Sequence, residues 1–109
     1  MIENKNLKYL INIIFKILGL YEKINDTEDN DNFTRENYII YIEKTLIDIG
    51  GYIELYKNNE RVSNILNKCY FSILGILETI KLEKDDHKLV RSKVLDMTND
   101  ISRCLSEGE

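Results

Sequence analysis

The chain has 109 residues, 43% hydrophobic and 31% charged, with 15 basic and 19 acidic side chains and a formal net charge of −4. That composition is ordinary for a globular protein and argues against a disordered chain. The acidic balance disfavours a duplex-binding domain, whose affinity comes mainly from neutralising phosphates. At this length one domain is expected, burying roughly 65% of the surface of the extended chain.

Leu7, Leu10, Ile14, Ile17, Tyr21 and Ile24 follow one another at alternating steps of three and four. This spacing puts all six on one face of a helix near residues 4–24. The stretch LINIIFKILGLY at 10–21, preceded by Lys5 and Lys8, has the outline of a secretory signal. Lys16 interrupts its apolar run, Glu3 stands in its leader, and no small-residue cleavage site follows. It is also too short to span a membrane and carries Asn12. A cytoplasmic chain with no membrane partner is expected.

Residues 25–32, NDTEDNDN, are wholly polar and read as a loop. Asp26, Glu28, Asn30 and Asn32 alternate as calcium ligands do. Asp31, however, stands where the turn glycine of such a loop belongs, and Asn37 stands where its glutamate belongs. Thr34 is placed to cap the next helix, with Phe33 and Tyr38 as a hydrophobic staple around it.

The second stripe is Ile39, Ile42, Leu46, Ile49, Ile53 and Tyr56, on a helix near 35–57. It passes through Gly50 and Gly51 without losing phase, whereas a turn at the glycines would reset it. The register slips at Lys57-Asn58-Asn59-Glu60 instead, where asparagine favours turns and N-caps. The break therefore belongs at the asparagines. A break at the glycines is the alternative, giving one short and one very long helix.

Val62, Leu66, Cys69, Ile73, Ile76 and Ile80 make the third stripe, on a helix near 60–82. Val90, Val94, Met97, Ile101 and Cys104 make the fourth, near 86–105, with Asp85 or Asp86 as its cap. Four near-equal helices with short connections predict an all-α fold. The architecture is an antiparallel up-down-up-down four-helix bundle, with shallow left-handed crossings.

Little in this pattern points to catalysis or to a cofactor. A di-iron bundle needs Glu-x-x-His pairs, and the one histidine, His87, has no glutamate three residues before it. Cys69 and Cys104 occupy stripe positions and read as small buried hydrophobes. Folding the third helix on the fourth about residue 84 sets Cys69 opposite residue 99, leaving Cys104 roughly 7.5 Å of rise away and poorly placed for a disulfide. Lys84, Lys88 and Arg91 form a basic stripe that could meet an anion, with Lys81 and His87 nearby and Glu83, Asp85 and Asp86 diluting it.

The glycine pair is the more informative feature. Each glycine inside a helix costs about 1 kcal/mol relative to alanine, so two together need a compensating use. Ile40, Ile47, Gly51 and Leu55 share a face away from the core stripe, with Lys44 among them and Tyr41 beside it. Gly51 could admit a neighbouring side chain within the bundle, or it could let another molecule approach closely.

In size and predicted architecture the chain resembles bacteriocin immunity proteins. The resemblance is one of architecture, carried by no shared motif residue, and it implies a non-enzymatic binder of a larger protein. The leading expectation is a protein–protein interaction module of the inhibitor or immunity type, including phage anti-defence or anti-CRISPR-like inhibitors. Its interface would be Ile40, Tyr41, Ile47, Gly51 and Leu55. The alternative is a structural subunit using the same face to dimerise or to join a multi-protein complex. A third reading is an accessory nucleic-acid or nucleotide binder acting through Lys84, Lys88 and Arg91.

Overall fold

The computed structural model describes residues 4–25, 35–82 and 86–107. Among these residues four helices form: α1 (Asn4–Asn25), α2 (Arg35–Leu55), α3 (Glu60–Lys81) and α4 (His87–Glu107). They run antiparallel in an up-down-up-down bundle measuring 46 × 21 × 21 Å. Each helix packs on its two neighbours in a ring. The α2/α3 and α1/α4 contacts are the most extensive, and α1/α2 is the thinnest.

Local chemistry explains the boundaries. Asn59 takes an extended backbone, φ −110° and ψ 95°, and its side chain accepts a hydrogen bond from the Val62 N–H. That satisfies one of the donors a helix start leaves unpaired, so the break falls at the asparagines. Gly50 and Gly51 both lie inside α2, which ends at Leu55, two residues earlier than the spacing predicts. At the head of α4, Asp86 Oδ1 accepts from the Leu89 N–H at 3.0 Å. The far end of α3 is closed by the Leu82 N–H donating to Glu78 O and by the Arg35 guanidinium donating to Ile80 O. A cation there also meets the negative end of the helix dipole. Residues 26–32 of the predicted polar loop, the Thr34 cap, Phe33 of the staple and Asp85 lie outside the described residues.

The core is built from the predicted stripes with one rotation. Leu7, Leu10, Ile14, Ile17 and Tyr21 of α1 are buried, as are all six stripe residues of α3 and all five of α4. Burying side chains of this size contributes about 1.5–3 kcal/mol each. On α2 the expected Ile39 and Ile53 are only half-buried, while Tyr38 and Thr45 are buried. The reason is polar satisfaction. The Tyr38 hydroxyl donates to Ile17 O at 2.9 Å, and the Thr45 hydroxyl donates to Tyr41 O at 2.9 Å. Once bonded, such groups cost little to bury, so α2 can turn a mixed face inward.

Cys69 and Cys104 are both buried free thiols. Burial, reinforced by the Asp100 carboxylate and opposed by Lys68, pushes the Cys69 thiol up to about 12.

Candidate functional site

The outward side of α2 carries the most exposed cluster of apolar side chains on that helix. Ile40 is 62% exposed, Ile47 75% and Leu55 64%. Gly51 lies exposed between Ile47 and Leu55, and Lys44 is exposed between Ile40 and Ile47. The strip exists because the inward positions of α2, Tyr38, Ile42, Thr45 and Ile49, already satisfy the core. A helix apolar on a second face presents it to solvent or to another molecule.

Neither glycine of the pair is approached closely by another part of the bundle. A β-carbon built at Gly50 or at Gly51 would meet nothing within 4 Å. The expectation that Gly51 admits a neighbouring side chain is therefore not met. By contrast, a β-carbon at Gly75 of α3 would stand 3.3 Å from Lys93 Nζ and 3.4 Å from its Cε. The side chain of Lys93 lies across the bare backbone at Gly75. Nothing in the local sequence singles out this glycine, because its partner lies on another helix.

Tyr41 departs from the rest of the predicted strip. It is half-buried and turned toward α1, where its hydroxyl donates to Ile13 O at 3.1 Å and Lys16 Nζ sits 5.6 Å from its ring centre. Burial, foremost, raises its phenol above the ordinary value. It forms one wall of a groove of about 330 Å³ between α1 and α2, with Tyr9, Lys16, Lys44 and Asp48 among its other walls. The groove is open because this is the thinnest of the four helix contacts.

Lys84 lies outside the described residues, and Lys88 and Arg91 are exposed on the first turns of α4. His87 turns to α1, with Nε2 3.3 Å from Glu22 Oε1 and its ring stacked on Tyr21 at 6.0 Å. A larger gathering of cations lies along the α3/α4 seam, in two adjoining grooves of about 230 and 310 Å³. Arg61, Lys68, Lys93 and Arg103 line these grooves, with Asp96 and Asp100 interleaved. Lys68 Nζ is 3.2 Å from Asp100 Oδ2. Residues so far apart in sequence come together only when α3 and α4 dock, although the fold-back about residue 84 does pair 68 with 100 and 75 with 93.

Among the described residues no group of three or more His, Cys, Asp or Glu side chains is gathered as a metal site would require. No helix among them is long and apolar enough to cross a membrane. Comparison with protein-family models, curated proteins and solved structures finds no match to this chain.

Proposed function

We propose that this chain is a non-catalytic protein-interaction module whose contact face is the outward surface of α2. The observation that supports this reading is the exposure of Ile40, Ile47 and Leu55 around Gly51, where an added β-carbon would meet nothing within 4 Å. Helical glycine is destabilising, and exposed isoleucine gains nothing in water. Both become favourable when a second surface covers them, because apolar area leaves water and the bare backbone permits close approach.

An inhibitor or immunity-type protein and a small assembly subunit both work in this way, by covering a surface and without chemistry of their own. Tyr41, turned into the α1 groove, serves as the edge of the contact face and not its centre.

The test compares binding by the native chain with binding by Ile47→Glu and Gly51→Leu. Both positions are exposed, so far-ultraviolet circular dichroism should show unchanged helicity in each variant. Capture of the partner should be lost with Ile47→Glu and strongly weakened with Gly51→Leu. Undiminished capture by both variants would remove α2 as the contact face.

A further inference from the structure

We infer that the groove between α1 and α2 binds a small organic anion built on an aromatic ring. The site goes beyond the contact face of α2, with which it shares only the border residues Tyr41 and Lys44. Its volume of about 330 Å³ stands at the small end of the range for small-molecule sites, with room for a single substituted ring.

The groove has walls fixed by the fold. Tyr38 and Tyr41 reach across from α2 to donate to Ile17 O and Ile13 O. These bonds set the register of the two helices and hold the Tyr41 ring in place. Thr45, also lining the groove, has its hydroxyl committed to Tyr41 O. The charged side chains are not committed in this way. Lys44 and Asp48 stand one turn apart on α2, a spacing at which opposite charges ordinarily pair. Among the described residues, however, no ion pair engages Lys44, Asp48 or Lys16.

The register also orders these groups along the groove. Lys16 and Tyr41 mark one end, with the Lys16 ammonium 5.6 Å from the ring centre. Lys44 follows, and Asp48 lies about 6 Å further along the helix axis. Continuing the pairing of 13 with 41 and 17 with 38 sets Tyr9 of α1 between the levels of Lys44 and Asp48. Two ammonium groups from opposite helices repel each other, and an anionic group between them reverses the sign of that interaction. Exposed Tyr9 and half-buried Ile13 supply an apolar wall for a ring. Asp48, an acceptor when ionised, favours a donor on the side of the ring away from the acid. The groove is locally cationic in a chain of net charge −4, so the choice of an anion is a property of this place and not of the whole surface.

The probe that carries these features is para-aminobenzoate, and titrating it into the isotope-labelled full chain while following amide shifts tests the site. Shifts should concentrate in residues 9–16 and 41–48, with a dissociation constant of about 1 mM, the scale for so few atoms. Aniline, which lacks the acid, should bind about tenfold more weakly. Lys16→Gln and Lys44→Gln should each weaken binding about fivefold. Asp48→Ala should reduce the preference for para-aminobenzoate over benzoate about threefold. All three positions are exposed, so circular dichroism should show the helices intact in each variant. No shifts in the groove up to about 20 mM would overturn the site. So would equal binding of aniline, or binding that both lysine variants leave unchanged. If Lys16→Gln weakens capture of a protein while no probe binds, the groove is an extension of the α2 contact face and not a ligand site.

Discussion

A β-carbon added at Gly75 would stand 3.3 Å from the ammonium nitrogen of Lys93, whereas one added at Gly51 would meet nothing within 4 Å. Both glycines sit in the interior of long helices, and both weaken those helices by the same backbone entropy. At Gly75 the cost has a visible return, because the α3/α4 seam closes with a lysine laid across bare backbone. At Gly51 the fold returns nothing. A helical glycine is thus informative only together with what lies above it, and an unoccupied one on an apolar strip directs attention outside the molecule.

The same contrast separates the two faces of α2, and the largest predicted effect exploits it. Ile49 is fully buried and Ile47 is 75% exposed. Ile49→Ala should cost about 2–5 kcal/mol in chemical denaturation, through lost transfer energy and a residual cavity. Ile47→Ala should stay within about 0.5 kcal/mol of the parent chain. Similar losses at the two positions would mean that α2 is rotated from the orientation described.

The interior should also respond to alkali while the exposed strip does not. Burial lifts the Cys69 thiol from 9.0 to about 12, so the folded chain holds that proton more tightly than the unfolded chain. Tyr38 is raised by burial in the same direction. A raised folded value means the contribution is intact below about pH 9 and is lost as pH climbs toward 12. Urea midpoints should fall across that window, and Cys69→Val should remove part of the fall. A pH-independent midpoint above 9 would contradict the burial of both groups.

A smaller effect sharpens the glycine comparison itself. Gly51→Ala should stabilise the isolated monomer by about 0.8–1 kcal/mol, since the helix gains propensity and no neighbour is displaced. Gly75→Ala should gain less, because the end of Lys93 must first move aside. Equal gains at both sites would show that Lys93 rests on Gly75 without consequence. Smallest of all, a double-mutant cycle on Lys68 and Asp100, using Lys68→Met and Asp100→Asn, should give a coupling below about 1 kcal/mol, because Lys68 is mostly exposed.

Most of the fold was legible because helix periodicity is a local property. In α1, α3 and α4 apolar residues at steps of three and four map onto the buried face nearly residue for residue. Asn59 and Asp86 could be read as caps because their short side chains act within one turn. In α2 periodicity points to Ile39 and Ile53 as core, whereas Tyr38 and Thr45 are the residues buried. Hydrophobicity ranks a phenol and a hydroxyl below isoleucine, and only a partner such as Ile17 O makes their burial inexpensive.

The candidate site was legible as a pattern and not as a geometry. Spacing placed Ile40, Ile47, Gly51 and Leu55 on one face, but it could not say whether another helix would cover them. Nor could it show that Tyr41 turns away toward α1. The cations of the α3/α4 seam were missed for a related reason, since Arg61 and Arg103 are neighbours only after docking.

By itself, then, the sequence determined four helices, their limits to within two residues and the inward face of three of them, because propensity, capping and periodicity act over a few residues. The tertiary structure decided the rotation of α2, the resting place of Lys93 and the exposure of the Gly51 strip. Each of these depends on which atoms of a distant helix arrive at the same place, and no local pattern carries that information.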